Sequence, residues 1–329
     1  MSTSPLKFAA DNCPTVLWND SADPKELADS ISWGGVGATC NPVIALTALK
    51  QNYDHWSRRI KEYAQANPLE SEMDIGWAMV RELSINAAKL LEPNFEKYKG
   101  RNGRLSIQTD PKFYKNAKAL TEQAIYFDSL AKNMIVKLPV TSDVIKAFEE
   151  VTYAGVSINA TVSFTVAQTI AVAEAVERGL RRREQEGLDI SHMGPVCTIM
   201  VGRTDDWIKV QAEKDGIKID PDYLEWCGVA TFKNAYRIYQ ERGYRTRLLA
   251  AAFRNTLHWS EILGGDCVIS PPYAWQVKIN ETIVNPDIHS IEKPVDPKIL
   301  DSLLVNFSEF RKAYEPDGLA VSEFSTYGA

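Results

Sequence analysis

Nowhere in this sequence do apolar residues run for the roughly 18 positions that a membrane-crossing helix requires, so a helical membrane protein is set aside. Met1 to Ala10 lacks the charged start and apolar stretch of a secretory signal, which points to a cytoplasmic protein. Cysteine is scarce and scattered. Cys13, Cys40, Cys197, Cys227 and Cys267 include no CxxC pair, and their odd number suits reduced thiols better than a disulfide framework or a zinc site. His55, His192, His258 and His289 are spread along the chain without the spacing of metal ligands. Positive charge is not in excess either. With 37 Lys and Arg against 43 Asp and Glu, the net charge of −6 argues against a nucleic acid or a membrane surface as partner. Neither an internal repeat nor a low-complexity linker divides the chain, so residues 1–329 are expected to form one domain.

What the chain does contain is a regular alternation of short apolar segments and helical patterns. Strands are predicted near 15–20, 34–41, 105–108, 133–138, 156–161, 195–203, 247–253 and 266–270. Asp23-Pro24 offers a cap and a first helical proline for a helix to about residue 31. Helical spacing fills 43–95, Asp110-Pro111 opens the next helix, and another starts at Thr141. Further helices are expected up to the charged run 181–186, over 204–215 and 221–242, and near 297–315. The basic turn from Lys97 to Arg104 reads as a solvated loop. The glycines of 34–41 precede a strand and do not link it to a helix, which excludes a dinucleotide-binding loop. Eight short strands each followed by helix imply a parallel sheet, and eight such strands close a barrel. The expected fold class is α/β, a single (β/α)8 TIM barrel. It carries a helical insertion at about 43–95 and a C-terminal helical tail over about 271–329 that wraps back over the body.

One residue stands out against this frame. Asn133-Met-Ile-Val-Lys137-Leu138 reads as a strand buried on both faces, with Lys137 near its C-terminal end. Burying an ammonium there is unfavourable, and the same desolvation makes the neutral amine available as a nucleophile. In a barrel the active site lies at the C-terminal ends of the strands. The residues at those ends are Asp20, Asn41, Gln108, Lys137, Asn159 with Thr161, Arg203 and Arg254. Polar groups gathered on one rim point to a site, with Trp33 and Tyr273 as candidates for its mouth. A carboxylate facing an amine can shuttle protons, two arginines suit a phosphate dianion, and amides suit sugar hydroxyls.

Several motifs then fall into register. Gly37-Ala-Thr-Cys-Asn-Pro42, Ile135-Val-Lys-Leu-Pro139, Gly155-Val-Ser-Ile-Asn-Ala-Thr-Val162, Val201-Gly-Arg203 and Ala252-Phe-Arg-Asn255 resemble those of the transaldolase family in order and spacing. The resemblance runs from about Thr15 to Pro272. It implies an enzyme that moves a dihydroxyacetone unit between sugar phosphates through a lysine Schiff base, without metal or organic cofactor. By the same resemblance Lys137 is the Schiff-base lysine and Asp20 the acid/base carboxylate. Thr161 helps place a catalytic water together with the group at 108. Asn41, Asn159 and Thr198 bind the substrate, and Arg203 and Arg254 hold the acceptor's phosphate. The expected partners are sugar-phosphate substrates, and the expected assembly is a monomer or homodimer.

Three positions depart from the pattern. Gln108 stands where the third strand usually ends in glutamate, and it resembles the fructose-6-phosphate aldolase branch of the superfamily. Met200 matches neither the phenylalanine of many transaldolases nor the tyrosine of that branch. Ala252 replaces a serine common before the seventh-strand arginine. Transaldolase is the leading expectation. The alternatives are an aldolase releasing free dihydroxyacetone, or a non-catalytic barrel that binds sugar phosphates.

Overall fold

In the computed structural model, which describes residues 4–282 and 285–328, eight parallel strands close into a barrel in sequential order. They are β1 (Val16–Asn19), β2 (Gly35–Cys40), β3 (Arg104–Gln108), β4 (Met134–Pro139), β5 (Ile158–Thr161), β6 (Val196–Ile199), β7 (Arg247–Ala251) and β8 (Val268–Ser270). Between the first three strands lie α2 (Pro24–Ser32), α3 (Pro42–Gln51), α4 (Tyr53–Ala66) and α5 (Glu72–Lys97), with α1 (Pro5–Asn12) before β1. The later crossovers are α6 (Ala117–Asp128), α7 (Ala147–Tyr153), α8 (Val166–Gln185), then α9 (Val201–Asp215), α10 (Pro221–Leu224) and α11 (Cys227–Arg242), and α12 (Leu257–Ser260). After β8 come α13 (Tyr273–Asn280), α14 (Pro297–Asn306) and α15 (Ser308–Tyr314). Among the described residues no helix is long and apolar enough to cross a membrane. Residues 1–3 of the start, and 283, 284 and 329 of the tail, lie outside the described residues.

Two-residue periodicity builds the barrel. Leu17, Ile107, Val136, Leu138, Ile158, Ile199 and Ile269 belong to the large cluster that the helices cover. Their alternates Trp18, Ile135, Val196, Leu249 and Val268 form a separate cluster inside the barrel. Trp18 is fully buried there. A Cβ at Gly37 on the neighbouring strand would lie 2.5 Å from the indole, so only glycine leaves room for the ring.

The departures from sequence expectation have local causes. Arg104 is buried at the start of β3, not solvated in a loop, because its guanidinium satisfies the carbonyls of Gly100 and Met134 at 2.7 and 2.8 Å, and that of His192. Asp110-Pro111 does cap, but it caps a single 3-10 turn (Pro111–Phe113); α6 starts later, on an Asn116 cap. Thr141 opens turns and not a helix, since its hydroxyl donates to the Tyr114 carbonyl at 2.8 Å and leaves α7 to begin at Ala147. β6 stops at Ile199, so Arg203 lies in the first turn of α9 and not on the sixth strand. β7 likewise stops at Ala251, which puts Arg254 in the following loop.

Candidate active site

Strand register places Gln108, Lys137 and Asn159 side by side on β3, β4 and β5. Val136 and Leu138 belong to the outer cluster, so alternation turns the Lys137 side chain into the barrel. There it is 9% exposed. Burial lowers its pKa below the usual lysine range and outweighs the nearby Asp20 and Cys40, which pull the other way. Its backbone carbonyl is held by Thr109, whose amide and hydroxyl donate at 3.0 and 3.1 Å. Burial pushes the Cys40 thiol up to about 11, so it is an inert neighbour.

A cavity of about 440 Å³ opens from Lys137 to the rim. Asn41, Gln108 and Thr161 line it, as the sequence pattern expects, with Met200 on the wall. Asn41 also caps α3, its Oδ1 accepting from the amides of Val43 and Ile44 at 2.9 Å. That cap fixes the side chain and leaves its NH₂ as the donor available to a ligand. Asn159 is held from both ends. Its Nδ2 donates to Ser106 Oγ at 2.9 Å, and its Oδ1 accepts from Thr198 Oγ1 at 2.8 Å. Gln108 makes no side-chain hydrogen bond among the described residues and is half-buried. Asp20 follows β1, accepts a hydrogen bond from the Thr39 hydroxyl and sits close enough to Lys137 to act on its charge. It is not part of the cavity wall.

The two arginines stand outside that wall. Arg203 is exposed, without an ion pair or side-chain hydrogen bond among the described residues. Arg254 is paired with Asp206, Nε to Oδ2 at 3.0 Å, and also donates to the carbonyls of Ala252 and Phe253. Backbone strain marks the same rim. Val162 and Ala252 have φ of +55° and +63°, a region that non-glycine residues rarely occupy, least of all a β-branched one. Trp33 and Tyr273 do not line the cavity. They stack on each other with ring centroids 5.8 Å apart, and the Tyr273 hydroxyl donates to Asp29.

Sequence reasoning missed the C-terminal wall. Phe324, Ser325 and Tyr327 line the cavity opposite the strands. Ser325 accepts from the Ser142 amide at 3.1 Å, and Tyr327 packs on Phe164 and Trp207 while its hydroxyl donates to the Glu309 carbonyl. The signal available was two aromatics closing a tail otherwise rich in small and polar residues. The helical pattern of the tail implies that it wraps the body, but no local pattern tells which surface it meets.

A family model described as Transaldolase/Fructose-6-phosphate aldolase matches residues 17–320. The transaldolase of Thiobacillus denitrificans is 30% identical over 73% of this chain and 67% of its own length. Transaldolase 2 of Streptomyces avermitilis is 31% identical over 62% of this chain and 55% of its own. The transaldolase of Mycobacterium ulcerans is 30% identical over 67% and 58%. For the latter two, the chain spans little more than half of the relative's length. With a buried barrel lysine, a cavity above it and a family match over nearly the whole sequence, the chain belongs to the transaldolase/fructose-6-phosphate aldolase family.

Proposed function

We propose that the protein is a transaldolase that moves a dihydroxyacetone unit from a ketose phosphate to an aldose phosphate through a Schiff base on Lys137. The buried Lys137 amine, at the C-terminal end of a barrel strand and open to a cavity lined by neutral amides, carries this reading. The neutral amine attacks the ketose carbonyl, a proton moves to the carbonyl oxygen, and water leaves to form the imine. Asp20 takes the proton from the hydroxyl next to the scissile bond, and cleavage leaves the electron pair on the imine-bound fragment. The fragment then adds to the aldehyde of the acceptor, Asp20 returns the proton to the new hydroxyl, and water hydrolyses the imine to release the product and the Lys137 amine. Asn41, Asn159 and Thr198 orient the hydroxyls of the retained unit, and Thr161 with Gln108 positions water. The same reading places the protein in the cytoplasm, where its cysteines remain free thiols, acting on sugar phosphates.

Fructose 6-phosphate supplied with and without erythrose 4-phosphate tests the assignment. Glyceraldehyde 3-phosphate that accumulates only with the acceptor supports transfer. Comparable release of free dihydroxyacetone without the acceptor overturns it in favour of an aldolase, the second reading, which Gln108 favours. A glutamine orients water but neither gives nor takes a proton, so its effect falls on the fate of the intermediate. Gln108→Glu is expected to raise the ratio of transfer to acceptor-independent release severalfold, measured as the two product rates side by side. An unchanged ratio would show that Gln108 does not set it.

Arg203 and Arg254 are proposed to bind the acceptor phosphate, Arg254 exchanging Asp206 for the ligand. Arg203→Ala or Arg254→Ala is expected to lower kcat/KM for phosphorylated acceptors about ten- to a hundredfold, the range of a charge-assisted contact. Activity with free glyceraldehyde should change little. Equal losses with both acceptors would assign the arginines to the fold.

A further inference from the structure

Beneath the rim, at the start of α9, lies a buried polar cluster that the proposed chemistry does not use. Asp205 and His258 have fully buried side chains and are joined by a hydrogen bond of 2.7 Å between Asp205 Oδ2 and His258 Nε2. The other ring nitrogen, Nδ1, accepts from the backbone amide of Arg254 at 3.0 Å. An amide that donates to Nδ1 leaves the ring proton on Nε2, where it donates to the carboxylate. Asp205 is itself fixed. Its Oδ1 accepts from the Gly228 amide at 2.7 Å, and its Oδ2 also accepts from Asn255 Nδ2 at 3.3 Å. Asn255 is further held by Glu225 Oε2 at 2.7 Å.

This cluster joins the two segments that carry the arginines. Asp205 is two residues beyond Arg203 on α9, and His258 is four residues beyond Arg254 after β7. The segments also touch directly. A Cβ at Gly202 would lie 2.0 Å from the Ala252 carbonyl oxygen and 2.6 Å from Arg254 Cγ, so glycine beside Arg203 is what lets the Arg254 loop approach. The loop enters this contact through the strained Ala252, a conformation that persists only where its surroundings hold it. A buried pair that bonds the Arg254 amide and Asn255 on the loop side, and is anchored to the Gly228 amide on the other, supplies that hold.

We propose that the Asp205–His258 pair is a positioning device for acceptor recognition: it sets the backbone of Arg254 relative to Arg203, so that both guanidiniums meet one phosphate. The proposal rests on the reading of these arginines as phosphate ligands. Both side chains are fully buried and neither lines the cavity above Lys137, so their effect is expected on recognition of the phosphate.

Conservative variants divide the two bonds of the imidazole. His258→Asn places an acceptor near the Nδ1 position and keeps the bond to Arg254, whereas His258→Gln places its NH₂ near the Nε2 position and keeps only the bond to Asp205. His258→Phe keeps the ring and loses both. With erythrose 4-phosphate and free glyceraldehyde compared as acceptors, Phe and Gln variants are expected to raise KM for the phosphorylated acceptor about tenfold. Their kcat with either acceptor should stay within about twofold, and His258→Asn should recover most of the loss. Equal losses with both acceptors, or Asn and Gln variants that behave alike, overturn the proposal even if His258→Phe does not fold. Arg203→Ala and Arg254→Ala are run in the same assay. If they fail to discriminate between acceptors, the phosphate reading falls and takes this proposal with it. If they discriminate and the His258 variants do not, only the positioning role is lost.

Discussion

Replacing Lys137 with methionine is expected to reduce transfer by at least about a thousandfold while leaving the fold intact. Methionine fills nearly the same volume, and burial already disfavours the ammonium at this position, so the swap removes a nucleophile from a site that has no need of a charge. The loss is therefore chemical, and thermal unfolding should show the variant at least as stable as the parent near neutral pH. The native enzyme carries a linked signature. A lysine whose pKa lies below its ordinary range is protonated only at lower pH, and its neutral fraction grows as pH rises through that lowered value. The rate of imine formation should rise with pH and level off below the ordinary lysine range. A rate that keeps climbing to pH 10 would contradict the desolvated amine. A variant that retains a tenth of the activity would remove Lys137 from the chemistry.

Asp20→Asn is expected to lower kcat by about 10²–10⁴-fold, the usual contribution of a positioned general acid–base group. Asparagine can still accept the Thr39 hydrogen bond, so the side chain stays in place and only proton transfer is lost. Charge and proton transfer can be told apart here. The Asp20 carboxylate raises the pKa of Lys137 against the effect of burial, so its removal should move the pH profile of imine formation downward even as turnover collapses. A small loss in kcat, or a profile displaced upward, would mean that Asp20 does not face the amine as proposed.

What could be read from the chain in advance follows from which interactions are local. The β4 pattern is an apolar run broken only by Lys137, and alternation alone turns that side chain into the barrel. Asn41, Gln108 and Thr161 sit at strand ends in the same way and line one cavity, while Asn159, beside Lys137 in register, is bonded to Thr198. The pattern extends the sixth strand to Arg203 because α9 starts without a side-chain cap, and Val201-Gly202 continues the apolar run of β6. Asp110-Pro111 carries a true cap signal, but the turn it opens closes after three residues, and a second cap at Asn116 starts the helix. Contacts across the fold left no trace in the pattern. His258 reads as one more isolated histidine until the barrel brings Asp205, 53 residues away, to 2.7 Å. Phe324 and Tyr327 reach the cavity only because the tail crosses the rim, which no periodicity encodes.

The most direct test of the account is reductive trapping with fructose 6-phosphate and borohydride, followed by peptide mapping of the modified chain. A Schiff base on Lys137 predicts a single stable adduct on the peptide containing 133–138, in proportion to lost activity, and none in Lys137→Met. An adduct on another lysine, or full turnover with no adduct, would contradict it, and binding of the sugar phosphate without adduct or turnover would make the barrel a binding protein.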